Sequence, residues 1–350
     1  MSFNRHLFLM VIGVLFLSSA FQGVLFAEKP IEIGATLSLT GSYAEPSRMI
    51  YDAYRLWERE INQQGGLLGH RIELIVLDDK SSSEIAKEKY RYLIEDKKVD
   101  LVLSPYSTPV TAAASEITEQ HDYVLIACGA SGELLWERGY SYVFGMYSMA
   151  DRYFIGFLDL MAREGLETVC IIHENNIFNQ DAAAGAAEWA AKMGVTVKSK
   201  MEFDPEANHL PEITGDIKQL HPDGLIACTY PPSGHKLLEL LKEFDYRPTA
   251  MAMTITPVHP SFIDKVGDMG EHVFAPSQWE PNKRIPFPGT RRFIREFTSF
   301  TGMLPSYHAG SAYAACEILE KAVVETGGME HEKLRDYIIS LDTVTVIGRF

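Results

Sequence analysis

Short unbroken apolar runs alternate along this chain with longer stretches whose apolar residues recur at helical spacing. Unbroken runs of this kind are typical of parallel strands buried on both faces, and the periodic stretches are typical of covering helices. The predicted strands are Ile31–Leu39, Ile72–Leu77, Val99–Leu103, Tyr123–Ala127, Thr168–Ile172, Val195–Val197, Gly224–Cys228, Ala250–Ile255 and Val273–Ala275. The predicted helices are Arg48–Asn62, Ser83–Asp96, Val110–Gln120, Ala150–Arg163, Gln180–Met193, Pro211–Leu220, Gly234–Phe244, Gly289–Phe300 and Ala309–Glu325. The alternation predicts an α/β fold built from βαβ units.

The length of the chain, 350 residues, exceeds what one hydrophobic core usually serves, so two doubly wound lobes are expected. Two irregular stretches, 144–151 and 276–288, are the best places for the chain to cross between lobes. We therefore expect lobe 1 to be discontinuous, with residues 28–147 plus 281–345, and lobe 2 to contain residues 148–280. The last predicted helices would then return to lobe 1.

The N-terminus has the pattern of a secretory signal peptide. Arg5 and His6 precede the apolar run Leu7–Leu17, and small residues follow at Ser18–Ala20 and again at Ala27. We interpret residues 1–27 as a cleaved signal peptide, which predicts export to the periplasm. The segment from Leu7 to Ala27 is also long enough to cross a bilayer, so an uncleaved membrane anchor is the alternative.

Composition argues against several classes of function. The formal net charge is -15 and no basic run interrupts it, so nucleic acid is not expected as a partner. The four cysteines form no CxxC pair, and His173–Glu174 lacks the second histidine of HExxH, so neither metal nor redox chemistry is predicted. The glycines at 65–69 have the wrong spacing for a nucleotide-binding loop. We therefore predict a protein that is not an enzyme and needs no cofactor.

Hydroxyl-rich segments follow three of the predicted strands, at 38–43, 104–108 and 128–132. In open parallel sheets, ligands bind beyond the carboxyl ends of the strands, where helix N-termini present unpaired amides. The hydroxyls of Ser107, Thr108 and Ser131 could hold a small carboxylate there without any lysine or arginine. The alternative is that these side chains only cap their helices.

A series of ordered motifs resembles the type I periplasmic solute-binding proteins of the leucine/isoleucine/valine-binding family. The motifs are Ile31–Gly34, Leu39–Ala44, Glu60–Asn62, Gly65–Leu74, Leu77–Asp79, Val99–Asp100, Ser104–Thr108, Cys128–Ser131 and Tyr142–Phe144, and the resemblance extends to residue 348. It implies two lobes of the type I fold that close on a ligand in the cleft between them. It also implies a receptor that serves an ABC permease in the inner membrane. Residues 345–350 resemble the last strand before a further segment of the family, so we expect the C-terminus to be truncated.

The resemblance also implies which residues contact the ligand. Ser107 and Thr108, together with Gly129, Ala130 and Ser131, match the segments that hold the ligand's carboxylate. The aromatic contact of lobe 1 is best matched by Tyr43, and the contacts of lobe 2 by Phe178, Thr229 and Tyr230. Two further aromatic residues, Tyr106 and Trp279, would complete an apolar cage.

One departure from the family concerns the ligand's ammonium group. Branched-chain receptors use an acid of the second lobe there, whereas residues 250–261 contain no Asp or Glu. We therefore expect a small amino acid, amide or carboxylate as the ligand. Because a buried ammonium without a partner is costly, an amide, a simple carboxylate or an aromatic acid is favoured among these. A ligand-sensing module of a membrane-tethered receptor, or an amide sensor with the same fold, is the alternative function.

Overall fold

The computed structural model describes residues 29–282, 284 and 287–350. The predicted signal peptide, residues 1–27, lies outside this range. Within the range, we find no helix with both the length and the apolar character that crossing a membrane requires.

The N-terminal part of the chain forms parallel strands around the buried strand β1 (Ile31–Leu37). This strand pairs in parallel with β2 (Ile72–Asp78) on one side and β3 (Leu101–Val102) on the other, and β4 (Leu125–Ala127) pairs separately with β5 (Val143–Gly145). The connecting helices are α1 (Ala44–Gln63), α2 (Ser83–Arg91), which continues as a π-helix to Asp96, and α3 (Thr108–Gln120).

The middle of the chain forms a second, five-stranded parallel sheet in the order β10-β9-β8-β6-β7. Its strands are β6 (Thr168–Glu174), β7 (Thr196–Phe203), β8 (Gly224–Cys228), β9 (Ala250–Met253) and β10 (Val273–Phe274). Its helices are α4 (Ile155–Arg163), α5 (Ile177–Lys192), α6 (Leu210–Leu220), α7 (Pro231–Glu243) and α8 (Phe262–Val266). The central strand β8 is buried along its whole length, as its unbroken apolar sequence predicts.

Three C-terminal helices follow: α9 (Thr290–Thr301), α10 (Tyr307–Thr326) and α11 (His331–Ile339), and a short hairpin of β11 (Val344–Thr345) and β12 (Gly348–Arg349) comes last. Helix α10 is joined to α1 by two side-chain hydrogen bonds. Trp57 Nε1 donates to Glu320 at 2.9 Å, and Tyr313 Oη donates to Glu60 at 2.6 Å. Helix α10 of the C-terminal part therefore packs against helix α1 of the N-terminal part.

Most predicted elements are confirmed, with boundaries that differ by a few residues. Strand β5 was missed because it has only three residues, and they lie at the start of a segment interpreted as irregular. Helix α11 was missed because its few apolar residues are separated by charged ones.

All four cysteines are free and buried. Cys170 and Cys228 lie on strands, Cys316 lies on a helix, and Cys128 follows the last residue of β4. Burial raises the pKa of the Cys128 thiol to about 11, which keeps it protonated and unreactive at neutral pH.

Candidate functional site

A small internal cavity lies beyond the carboxyl ends of strands from both parts of the chain. The volume open to the centre of a water molecule is about 10 Å³, which is room for about one water. It is lined by Tyr106, Thr108, Gly129, Ser131, Tyr147, Tyr153, Phe178, Tyr230, Ile255 and Tyr307. Every one of these side chains is neutral at pH 7, and hydroxyl and aromatic groups dominate the wall.

One wall of the cavity is a network of hydroxyl groups. Thr108 Oγ1 accepts the backbone N–H groups of Ser131 at 3.1 Å and Gly132 at 3.2 Å. Ser131 Oγ accepts the phenol of Tyr153 at 2.9 Å, and that phenol accepts Gln278 Nε2 at 2.9 Å. A hydroxyl has one donor and two acceptor positions, so both Thr108 and Ser131 keep an O–H group for a ligand. This wall therefore offers donors, which favours a ligand that carries acceptors.

Burial raises the pKa of Tyr153 to about 12, although its bonds to Ser131 and Gln278 act in the opposite direction. The phenol therefore stays protonated at neutral pH and continues to donate to Ser131. Gln278 also bonds both the N–H and the C=O of Ser148, so it ties together the two segments in which we expect the chain to cross between lobes. Sequence reasoning missed Tyr153 and Gln278, because their roles depend on a contact between distant segments.

The opposite wall is aromatic and centres on Tyr230. The centroid of its ring lies 4.4 Å from that of Tyr43, 5.8 Å from Phe178 and 6.3 Å from Tyr106. The ring of Tyr106 also contacts His308 edge-on at 5.0 Å. Burial lowers the pKa of His308 to about 3, so this imidazole is neutral and adds no positive charge behind the wall.

Gly129 brings the backbone close to the aromatic wall. A Cβ atom at this position would lie 2.7 Å from Cδ2 of Tyr106, closer than side-chain atoms approach one another. A larger residue would therefore displace Tyr106. This close approach explains why the turn has a glycine at position 129.

Two helices begin next to the cavity. Ser107 precedes α3 and Tyr230 precedes α7, and within the described structure neither start has a side-chain cap. The hydroxyls of Ser107 and of Thr229, one residue before Tyr230, are buried and have no hydrogen-bond partner among the described residues. The phenols of Tyr43 and Tyr230 approach Ser107 without well-aligned hydrogen bonds. Uncapped helix starts carry partial positive charge, so this arrangement favours an anionic group.

The structure brings six of the predicted site residues into the cavity lining: Tyr106, Thr108, Gly129, Ser131, Phe178 and Tyr230. The other five do not line it. Tyr43 packs behind Tyr230, Ser107 and Thr229 lie at the helix starts, and Ala130 packs beneath the turn with Leu135. Trp279 lies further away, against Phe293 with ring centroids 6.0 Å apart and beside Gly310.

The lining also contains four residues that were not predicted: Tyr147, Tyr153, Ile255 and Tyr307. Ile255 occupies the segment that was searched for an acid and places an apolar side chain there instead. Tyr147 and Tyr153 lie in or next to the first predicted crossing segment, where their polar-aromatic character was the available signal. Tyr307 begins α10, and nothing local in the sequence distinguishes it from a core aromatic.

One buried acid near the cavity also escaped sequence reasoning. Glu174 ends β6, is only 3% exposed and accepts the backbone N–H of Tyr230 at 2.9 Å. Its other oxygen accepts Asn176 Nδ2 at 3.1 Å and Asn179 Nδ2 at 3.2 Å. Burial raises the pKa of this carboxyl above its usual range, and the hydrogen bonds oppose that effect. Across the part of the chain that the structure describes, no three His, Cys, Asp or Glu side chains are grouped to hold a metal ion.

Comparison with known proteins identifies the architecture. The sequence profile of a family described as periplasmic binding protein matches residues 30–350. Leu/Ile/Val-binding protein homolog 8 of Brucella suis biovar 1 (strain 1330) is 22% identical over 361 residues, which cover 98% of this chain and 87% of the relative.

Two solved structures share the fold, which confirms the predicted α/β class and its type I periplasmic binding protein architecture. The branched-chain amino acid transporter substrate-binding protein LivJ of Streptococcus pneumoniae, in complex with isoleucine, has a TM-score of 0.82 and 19% identity, covering 92% of this chain and 91% of its own. An ABC transporter solute-binding protein of R. palustris, in complex with benzoate, has a TM-score of 0.80 and 17% identity, covering 92% and 89%.

Proposed function

Since the chain belongs to the periplasmic binding protein family, we propose that it is the extracytoplasmic receptor of an ABC importer. Its ligand is a small carboxylate with an aromatic or other apolar body. Residues 1–27 direct it to the periplasm and are cleaved. Lobe 1 (28–147 plus 281–345) and lobe 2 (148–280) close on the ligand, which the receptor delivers to a permease in the inner membrane.

The observation that carries this proposal is the division of the cavity into a hydroxyl wall and an aromatic wall. Thr108 and Ser131 each keep an O–H donor, and the starts of α3 and α7 add partial positive charge. A carboxylate would accept from these groups without a lysine or arginine. The cavity has room for about one water, so the lobes must stand further apart to admit the ligand. The rings of Phe178 and Tyr230 and the side chain of Ile255 would then cover its apolar body.

The neutral lining also bears on which carboxylate binds. An α-amino acid carries its ammonium next to the carboxylate, and none of the described lining residues supplies a negative charge there. A buried ammonium without a counter-charge loses several kcal/mol. Among the structural relatives, isoleucine occupies one and benzoate another, so both ligand types are compatible with the fold. The lining of this chain favours the ligand without an α-ammonium.

The first experiment is native mass spectrometry of the protein expressed with its own N-terminus, followed by denaturation and identification of any released molecule. A processed N-terminus with a bound organic acid is the expected result. An unprocessed N-terminus with no bound molecule would favour the membrane-tethered sensor instead.

Calorimetry then tests the ligand class directly, with benzoate and leucine titrated into protein that has been unfolded, dialysed and refolded. We expect heat from benzoate and none from leucine. Tight leucine binding with no response to benzoate would contradict the assignment. Thr108→Val should abolish benzoate binding, whereas Thr118→Val, further along the same helix, should leave it unchanged.

A further inference from the structure

A second and much larger cavity lies on the other side of the Tyr43–Tyr230 pair. The volume open to the centre of a water molecule is about 450 Å³ in this outer cavity. It is about 10 Å³ in the cavity described above, which we call the inner cavity. Tyr43 lines the outer cavity and Tyr230 lines the inner one, and their ring centroids are 4.4 Å apart. These two rings therefore form the partition between the cavities.

The outer cavity has a buried carboxylate in its wall, that of Glu174. Its hydrogen-bond donors are the amide N–H of Tyr230, the side-chain amides of Asn176 and Asn179, and the hydroxyl of Ser233, and all four are neutral. Among the described residues, no lysine, arginine or histidine forms an ion pair with it. A buried carboxylate without a counter-charge is unfavourable, and a cation that reached it would be held strongly.

The other charged groups of the outer cavity do not neutralise Glu174. Lys236 lines the cavity, but its ammonium is 3.5 Å from Glu239 and its side chain is largely exposed. Glu206 adds a second, exposed carboxylate. The electron-rich face of Tyr43 also attracts cations. The carboxylates and the tyrosine ring of this cavity therefore both favour a cationic group.

We propose that the outer cavity binds a cationic amine of the ligand, with Glu174 as its counter-charge. This inference rests on the proposed function, because the carboxylate of the same ligand binds in the inner cavity. The amine must then be separated from the carboxylate by a spacer. The rings of Tyr43 and Tyr230 must move apart when the ligand binds, because their centroids are only 4.4 Å apart in the structure. The ligand class is thus an amino acid with a distal amine, such as an aminomethyl benzoate, and not an α-amino acid.

The test compares benzoate with 4-(aminomethyl)benzoate by calorimetry in the wild-type protein and in Glu174→Gln. A hydrogen bond to a charged group contributes about 1.5–3 kcal/mol, so the amine should tighten binding about 10- to 100-fold in the wild type. Glu174→Gln should abolish this advantage, which is measured as the ratio of the two affinities within that variant. Glu202→Gln is the matched control, because Glu202 lies on the neighbouring strand β7, is exposed and does not line either cavity.

Each outcome decides between the two proposals. If benzoate binds and the amine brings no advantage in the wild type, the outer site is wrong and the proposed function stands. If neither compound binds, the proposed function is wrong as well. The wild-type comparison does not depend on any variant, so it decides the inference even if Glu174→Gln does not fold. Thermal unfolding of each variant verifies that it is folded.

Discussion

Thr108 is predicted to determine the stability of the turn that forms one side of the inner cavity. Its Oγ1 accepts two backbone N–H groups, those of Ser131 and Gly132, and the residue is only 2% exposed. Thr108→Val keeps the shape of the side chain and removes the acceptor. Two buried N–H groups are then left without a partner.

The magnitude follows from those two groups. A buried donor that loses its partner costs about 1–3 kcal/mol, so the variant should lose about 2–6 kcal/mol of the free energy of unfolding. Water that enters the turn would move the value toward the lower end. Thr108→Ser keeps the oxygen and should lose less, since only a methyl group is removed.

The assay is urea unfolding followed by tryptophan fluorescence and by circular dichroism, at one pH and one salt concentration. Thr118→Val is the matched control in the same helix, because Thr118 is also buried and its hydroxyl donates to the carbonyl of Ser115 at 3.3 Å. That carbonyl lies inside a helix, so we expect a loss of less than about 1 kcal/mol. Equal losses for the two valine variants would refute the reasoning.

The remaining predictions concern a glycine of the site, a buried carboxyl and a second glycine. Gly129→Ala should weaken ligand binding at least about tenfold by calorimetry, because its Cβ would lie 2.7 Å from Tyr106 and must displace that ring. Burial raises the pKa of Glu317 to about 7 from 4.5, so the contribution of this carboxyl to folding stability falls as pH rises from 4.5 to 7. Glu317→Gln should remove that contribution, about 2–3 kcal/mol, from the pH dependence measured by urea unfolding. Gly185→Ala should lower the melting temperature strongly, because its Cβ would lie 2.1 Å from the backbone oxygen of Asp151.

Matched control variants separate the predicted effects on affinity and stability from non-specific destabilisation of the fold. Gly156→Ala adds the same methyl group in helix α4, where no atom beyond the helix's own nearby backbone lies within 4 Å, so it should keep both affinity and melting temperature. Glu325→Gln removes an exposed carboxyl from the same helix as Glu317 and controls for the loss of one negative charge from that helix. A Gly129→Ala protein with normal affinity, or a Glu317→Gln protein with the wild-type pH profile, would contradict the corresponding argument.

The sequence by itself determined the strands and helices, because burial on both faces of a parallel strand requires an unbroken apolar run. Strands β1 and β8 are clear examples, and the helix start at Ser82, whose side chain accepts the N–H of Ile85, follows the same local chemistry. Sequence reasoning also identified the turns of Thr108 and Ser131, since hydroxyls and glycine at strand ends are local signals.

Only the tertiary structure decided which groups meet. Tyr153 and Gln278 are far apart in the sequence and act together on Ser131, and no periodicity reports such a contact. The same holds for Glu174, which lies two residues beyond the end of the predicted strand Thr168–Ile172. Nothing in the sequence shows that it lies beside Tyr230 with only neutral donors. Burial and the absence of a counter-charge among the described residues are properties of packing, and packing joins segments that the sequence keeps apart.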